Sequence, residues 1–234
     1  MFWTEESIAF LRDAAAINRY YETIAERIAP QLPENAHICD AGCGIGELSL
    51  ALKPYCHHVT AVDADALAIK TLKAHLIEGV TARCDDMETL APEKPYDAMV
   101  FCLFGRTEDT LRIARKQCRG RIFLVKSDYS HHRFSAGKVS LGEYTAGSTE
   151  AVLHEKGIPY TVERFTAEFG QPFRSLEAAE RFFALYNRSR SGTLSKDEIK
   201  ARLTEGPSEE FPYYLPHKKA LCLFTVETAD IPEK

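Results

Sequence analysis

Asp40-Ala-Gly-Cys-Gly-Ile-Gly46 places an acid ahead of three glycines at alternate positions, directly after an apolar segment and before a helical pattern. Glycines in such a loop let backbone N–H groups approach a nucleotide-type cofactor closely, because no side chain stands in the way. The spacing discriminates between cofactors. A dinucleotide fingerprint, G-x-G-x-x-G, seats a pyrophosphate on the helix N-terminus and asks for a third glycine where this chain has Glu47. A carboxylate at that point repels the pyrophosphate, which disfavours an NAD-linked oxidoreductase. Asp40, before the first glycine, suits a ligand carrying positive charge.

The next segments supply further polar groups at strand ends. His58-Val-Thr-Ala-Val-Asp63 reads as a strand closing on an acid 21 positions beyond Gly42, where a carboxylate can accept both hydroxyls of a ribose. Val80-Thr-Ala-Arg-Cys84 reads as a third strand followed by Asp85-Asp86-Met87, and Tyr96 to Phe104 as a central strand apolar enough to be buried on both faces. The series Asp40, Gly42, Gly44, Gly46, then Asp63, then Asp86, resembles the motifs of the class I S-adenosylmethionine-dependent methyltransferases. The resemblance covers residues 36–130 well and the rest by layout. It implies S-adenosylmethionine as cofactor, held by Asp40, Gly42, Gly44 and Gly46, by Asp63 with Ala64, by Asp86 with Met87, and by Phe101 at the end of the central strand. Asp86 is preferred to Asp85 by its register to Leu90.

On the acceptor side, Ser127-Asp-Tyr-Ser-His-His-Arg-Phe134 follows the predicted fifth strand, Gly120–Lys126, at the place where open α/β sheets gather ligand contacts. His131 and His132 are the candidate catalytic bases, since imidazole titrates near neutral pH, and Gly137 is a candidate hinge. Lys126 and Arg133 are candidates to hold an anionic substrate, and Tyr20 and Tyr21 to line the pocket; solvated surface charge and core packing are the competing readings. The end of the central strand, Phe101-Cys-Leu-Phe-Gly105, lacks the N-P-P-Y type motif of methyltransferases acting on bases or glutamine. The expected function is methyl transfer to a small-molecule acceptor. A cofactor-binding sensor or partner subunit, and an RNA or protein methyltransferase, remain as alternatives.

These residues require an α/β scaffold. Alternating strand and helix patterns predict a Rossmann-like, seven-stranded, mainly parallel sheet with flanking helices and a late helical insertion. Thr4 ahead of Glu5-Glu6 predicts an N-terminal helix over about residues 5–29, closed by Pro30 and Pro33, within a cap of residues 1–35. The helical pattern after Asp63 runs on to Leu76. The core is expected over 36–173 and 213–234, with 174–212 as a helical insertion or lid begun by the cap Ser175 and continued by the capping box Ser195-Lys-Asp-Glu198.

Composition bounds the partners. A chain of 234 residues with 45% hydrophobic residues suits one domain with a substantial core. A net charge of −5 argues against a large phosphate-tracking surface and hence against nucleic acid. No apolar run reaches membrane-spanning length, and the N-terminal Met1-Phe-Trp-Thr-Glu-Glu is acidic, so neither a membrane segment nor a signal peptide is expected. Seven cysteines without a C-x-x-C pair read as reduced thiols in a cytoplasmic protein with no metal site. A homodimer stays open.

Overall fold

The computed structural model describes residues 3–190 and 192–233. The N-terminal helical stretch is broken in two, α1 (Glu5–Ile17) and α2 (Tyr20–Ile28). Asn18 causes the break: its backbone is extended, and its side-chain amide donates to the carbonyls of Ala14, at 2.7 Å, and Gly170, at 2.8 Å. A residue that caps one helix and anchors to a distant segment cannot also continue the helix, so the single helix expected over 5–29 is corrected to a bent pair.

The core then alternates: β1 (His37–Ala41), α3 (Glu47–Leu52), β2 (His58–Asp63), α4 (Ala66–Lys73), β3 (Val80–Cys84), β4 (Tyr96–Cys102), α5 (Thr107–Gln117), β5 (Cys118–Ser127), α6 (Ala146–Glu155) and β6 (Thr161–Glu168). Helix α4 stops at Lys73, short of Leu76, which is exposed.

After β6 the chain makes an excursion through β7 (Gln171–Phe173), α7 (Leu176–Tyr186), α8 (Lys196–Lys200), β8 (Thr204–Glu205) and β9 (Tyr213–Leu215) before returning as β10 (Lys218–Glu227). The strands form a seven-stranded sheet in the order β3-β2-β1-β4-β5-β10-β6, in which β1 to β5 pair in parallel and β10 runs antiparallel to both neighbours. This is the expected Rossmann-like arrangement, with the order of the strands reversing direction between β1 and β4, where such sheets open a ligand crevice.

Side-chain alternation along the strands divides the core into two layers. Ile38, Val100, Val125 and Leu221 face α2, α3 and α4, while Met99, Phe101, Leu124 and Cys222 face α5 and α6. The face a residue occupies decides whether it meets the crevice.

The excursion differs from the purely helical insertion expected over 174–212. Its strands β7, β9 and β8 form a separate three-stranded antiparallel sheet, and two of them lie outside those bounds. Strands of two or three residues, two of them flanked or interrupted by Pro172 and Pro212, are too short to leave a periodic pattern. The sheet and α7 enclose a third apolar cluster around Phe173, Phe182, Phe183 and Leu215, to which α1 contributes Phe10. Phe10 meets Phe182 edge-on at 5.3 Å, so α1 is packed against the excursion. Among the described residues no helix is long and apolar enough to cross a membrane, and the seven cysteines are free thiols.

Candidate active site

The glycine loop is built by β1 running out at the sheet edge. Gly42 and Cys43 donate their N–H groups to the Val62 carbonyl, at 2.8 and 3.0 Å, and Gly44 donates to the Asp63 carboxylate at 2.8 Å. The backbone there is left-handed, with φ of +72° at Gly42 and +55° at Gly44. A Cβ at Gly42 would lie 2.1 Å from the Phe104 ring, and one at Gly44 would lie 2.6 Å from the Trp3 ring. Glycine is therefore required twice over, by conformation and by contact. Gly46 caps the start of α3.

Asp40 lies at the end of β1, fully buried, with its carboxylate accepting the Ser49 hydroxyl at 2.6 Å. Burial pushes its carboxyl up to about 6, partly offset by the Ser49 hydrogen bond, so it is ionised at neutral pH. Asp63 accepts from Gly44 and from the Asp65 N–H at 2.9 Å, and retains lone pairs for a diol. Asp65 caps α4 through Leu67 and Ala68, and its other oxygen accepts the Trp3 N–H at 3.1 Å. Ala64 is exposed between these two aspartates.

β3 brings its own acids alongside: Asp85 donates its N–H to the Asp63 carbonyl, but its carboxylate is engaged by Arg83. Asp86 is exposed, and its carboxylate accepts only the nearby Glu88 N–H, at 2.9 Å, among the described residues. Of the two carboxylates, that of Asp86 is the one with no arginine partner among the described residues. Met87 is buried against the α5 side of the sheet, so only its backbone is near the crevice.

Phe101 also points to the α5 layer, stacked at 6.5 Å against Phe104. The side chain of β4 that shares the Asp40 face is Cys102, one residue on. Leu103 adopts φ +52°, and this left-handed turn is followed by Phe104 lying against Gly42.

The second half of the site comes from elements far apart in sequence. Tyr20, the first residue of α2, is buried, its ring 4.3 Å from Phe169 and 5.0 Å from Tyr21, and its hydroxyl has no partner among the described residues. Lys219, at the start of β10, places its ammonium 4.9 Å from the Tyr20 ring centre and 4.4 Å from that of Phe169, with no carboxylate partner among the described residues. Because β10 is antiparallel, its first residues lie at the edge where the parallel strands end. Burial lowers the Lys219 ammonium to about 8 and, with Asp40 nearby, raises the Cys102 thiol to about 12.

The two histidines separate. His131 is exposed, with its ring against the Ser130 hydroxyl at 2.8 Å. His132 turns inward to Ser135 at 2.8 Å, and burial with Arg188 and Lys219 nearby lowers it to about 4. Lys126 faces the α5 layer, buried, and donates to the carbonyls of Phe104 and Gly105 at 3.3 and 2.8 Å. This ammonium supports the turn after β4, and its geometry offers no contact to a substrate. Arg133 is exposed and donates to the Lys218 carbonyl. Trp3, Cys102, Phe104, His217 and Lys219 were not among the residues expected from sequence. Only Lys219 had a usable signal, a charge heading an apolar last strand whose predicted direction puts its start at this edge.

A family model described as a methyltransferase domain matches residues 38–119, the span from β1 through α5. Over this span the chain is similar to methyltransferases. Solved structures agree on the fold across most of the chain. A putative type II methyltransferase from Anaeromyxobacter dehalogenans is 15% identical, with a TM-score of 0.59, 92% of this chain covered and 99% of that one. The YcgJ protein of Bacillus subtilis is 15% identical, with a TM-score of 0.55 and coverages of 88% and 97%. The N-methyltransferase NodS from Bradyrhizobium japonicum WM9 is 14% identical, with a TM-score of 0.51 and coverages of 88% and 93%. No curated protein matches the chain in sequence.

The residues present at this site fit S-adenosylmethionine, the cofactor that the sequence resemblance implies. The loop tolerates no side chain at Gly42 or Gly44, Asp40 holds a buried negative charge beside it, and Asp63 has acceptor capacity left at the end of β2.

Proposed function

We propose that this methyltransferase methylates a small-molecule acceptor held at the carboxyl edge of the sheet, between the loop after β5 and the excursion 171–217. The observation that carries the reading is the aromatic enclosure of Tyr20, Tyr21 and Phe169 around the unpaired Lys219, on the same sheet face as Asp40 and Cys102. Aromatic rings packed around a single cation suit a compact molecule better than a polymer.

In this reading Asp40, Gly42, Gly44 and Gly46 hold the methionine end of the cofactor, Asp63 and Ala64 its ribose, and Asp86 with the Met87 backbone its adenine. The cofactor supplies a methyl carbon already activated by its sulfonium, so the chain contributes positioning and exclusion of water. Where the acceptor must lose a proton, Lys219 and His132 are the groups placed to take it: the first has a buried amine, the second a neutral imidazole. His131 is assigned to the outer surface of the loop.

The test is methyl transfer from labelled S-adenosylmethionine, with S-adenosylhomocysteine as readout, to a panel of small amines, alcohols, thiols and carboxylic acids, run beside total RNA and protein. Turnover on at least one small molecule is expected. Turnover confined to RNA or protein would refute the acceptor class.

A further inference from the structure

Beside His217 the loop after β5 and the excursion form an open cleft of about 400 Å³, lined by the exposed Arg133 and Arg202 and by Phe134, Phe183, Leu215 and His217. Three features of its lining point the same way. His217 is 3% exposed, yet neither ring nitrogen has a partner among the described residues. A buried polar atom without a partner costs roughly 1–3 kcal/mol, and that cost is removed by a ligand that meets it.

Arg133 and Arg202 each make one hydrogen bond to a backbone carbonyl, those of Lys218 and Arg133, leaving most of their five N–H donors unspent. Neither meets a carboxylate among the described residues, although the chain carries a net charge of −5 and pairs other arginines freely, as in Arg174 with Asp13 and Glu210 and Arg181 with Glu6. Glu168, the acid beside this wall, is turned to the His217 N–H at 3.1 Å and the Tyr214 hydroxyl at 2.9 Å. The guanidinium of Arg202 rests over the Phe183 ring, and Phe134 meets the His217 ring edge-on at 5.0 Å, so the polar groups sit in a fixed apolar frame.

We propose that Arg133, Arg202 and His217 form an oxyanion subsite that takes a carboxylate or phosphate group carried by the acceptor. The assignment rests on the acceptor reading above and narrows it to anionic molecules. Guanidinium groups recognise either oxyanion through paired N–H donors, and a neutral imidazole adds one donor without a charge of its own. The volume suits a group of several heavy atoms. His217 is two residues before Lys219, so a molecule anchored here extends along the start of β10 toward the Tyr20 and Cys102 side of the crevice.

The experiment is calorimetric titration of the full chain at low ionic strength with inorganic phosphate and with succinate, alongside S-adenosylmethionine. Parent protein should bind at least one of the two anions, and the tighter one names the class. The double variant Arg133→Gln, Arg202→Gln should lose at least tenfold in anion affinity, His217→Phe should lose at least threefold with its melting temperature retained, and a control, Lys70→Gln with Lys73→Gln on α4, should stay within twofold. Binding of neither anion by the parent, or equal binding by parent and double variant, would overturn the subsite. S-adenosylmethionine affinity should be the same in all variants; its absence from the parent would instead overturn the methyl-transfer reading and leave the anion result standing.

Discussion

The Gly44 N–H donates a 2.8 Å hydrogen bond to the Asp63 carboxylate, tying the glycine loop after β1 to the end of β2. One side chain therefore both shapes the loop and stands at the end of β2 as the proposed ribose contact, so the two sides of the crevice cannot vary independently.

Replacing Asp63 tests that double duty. Asp63→Ala should weaken S-adenosylmethionine binding at least tenfold, about 1.4 kcal/mol, by removing charge-assisted hydrogen bonds to the ribose. It should also lower the melting temperature of the ligand-free protein, because the Gly44 and Asp65 N–H groups lose their acceptor. Asp63→Asn, which keeps an acceptor oxygen, should spare the melting temperature more than the affinity. Calorimetry and thermal melting on the same samples check both, and unchanged affinity in both variants would remove Asp63 from the site.

Asp40 gives a pH signature. Its folded-state carboxyl lies near 6, above the value near 4 of an unfolded aspartate, so the folded protein holds that proton more tightly. The stabilisation is complete below pH 4 and is lost as pH rises through about 6, to the extent of about 3 kcal/mol. Asp40→Asn should flatten this part of the stability curve and raise ligand-free stability at pH 7.5, while weakening cofactor binding. Urea melts between pH 4 and 8 measure it; identical curves for parent and variant would contradict the buried-carboxylate account.

Lys219 should govern turnover without holding the cofactor. With its ammonium lowered to about 8, the fraction of free amine grows through that pH, and the rate on an acceptor that must lose a proton should rise with it. Lys219→Met should abolish that limb and lower kcat at least tenfold, with S-adenosylmethionine affinity unchanged. The pH–rate profiles of the two proteins decide; a limb retained in the variant assigns it to another group.

Gly42→Ala should fail through Phe104. The added methyl meets the ring at 2.1 Å in a backbone already at φ +72°. Loss of several degrees of melting temperature and of cofactor binding is expected, and Phe104→Ala in the same chain should recover part of both. Fully additive losses in the double variant would show that the clash is not the cause.

The amino-acid sequence by itself determined the parallel core and the placing of the proposed cofactor residues at its strand ends. Asp40, the three glycines, Asp63 and Asp86 sit at ends of strands whose apolar runs mark them, and each motif is local, so spacing along the chain stands in for position in space. Tertiary structure decided the proposed acceptor half. Tyr20, Cys102, His132, His217 and Lys219 come from separate elements, and they meet only because β10 inserts antiparallel between β5 and β6, bringing its first residues to the carboxyl edge. The side each strand residue faces has the same origin: one step along β4 separates Phe101 in the α5 layer from Cys102 on the Asp40 face, a distinction set by pleat and register. Asn18 shows the same limit in the helices, for the bond that breaks α1 from α2 runs to Gly170, 152 residues away.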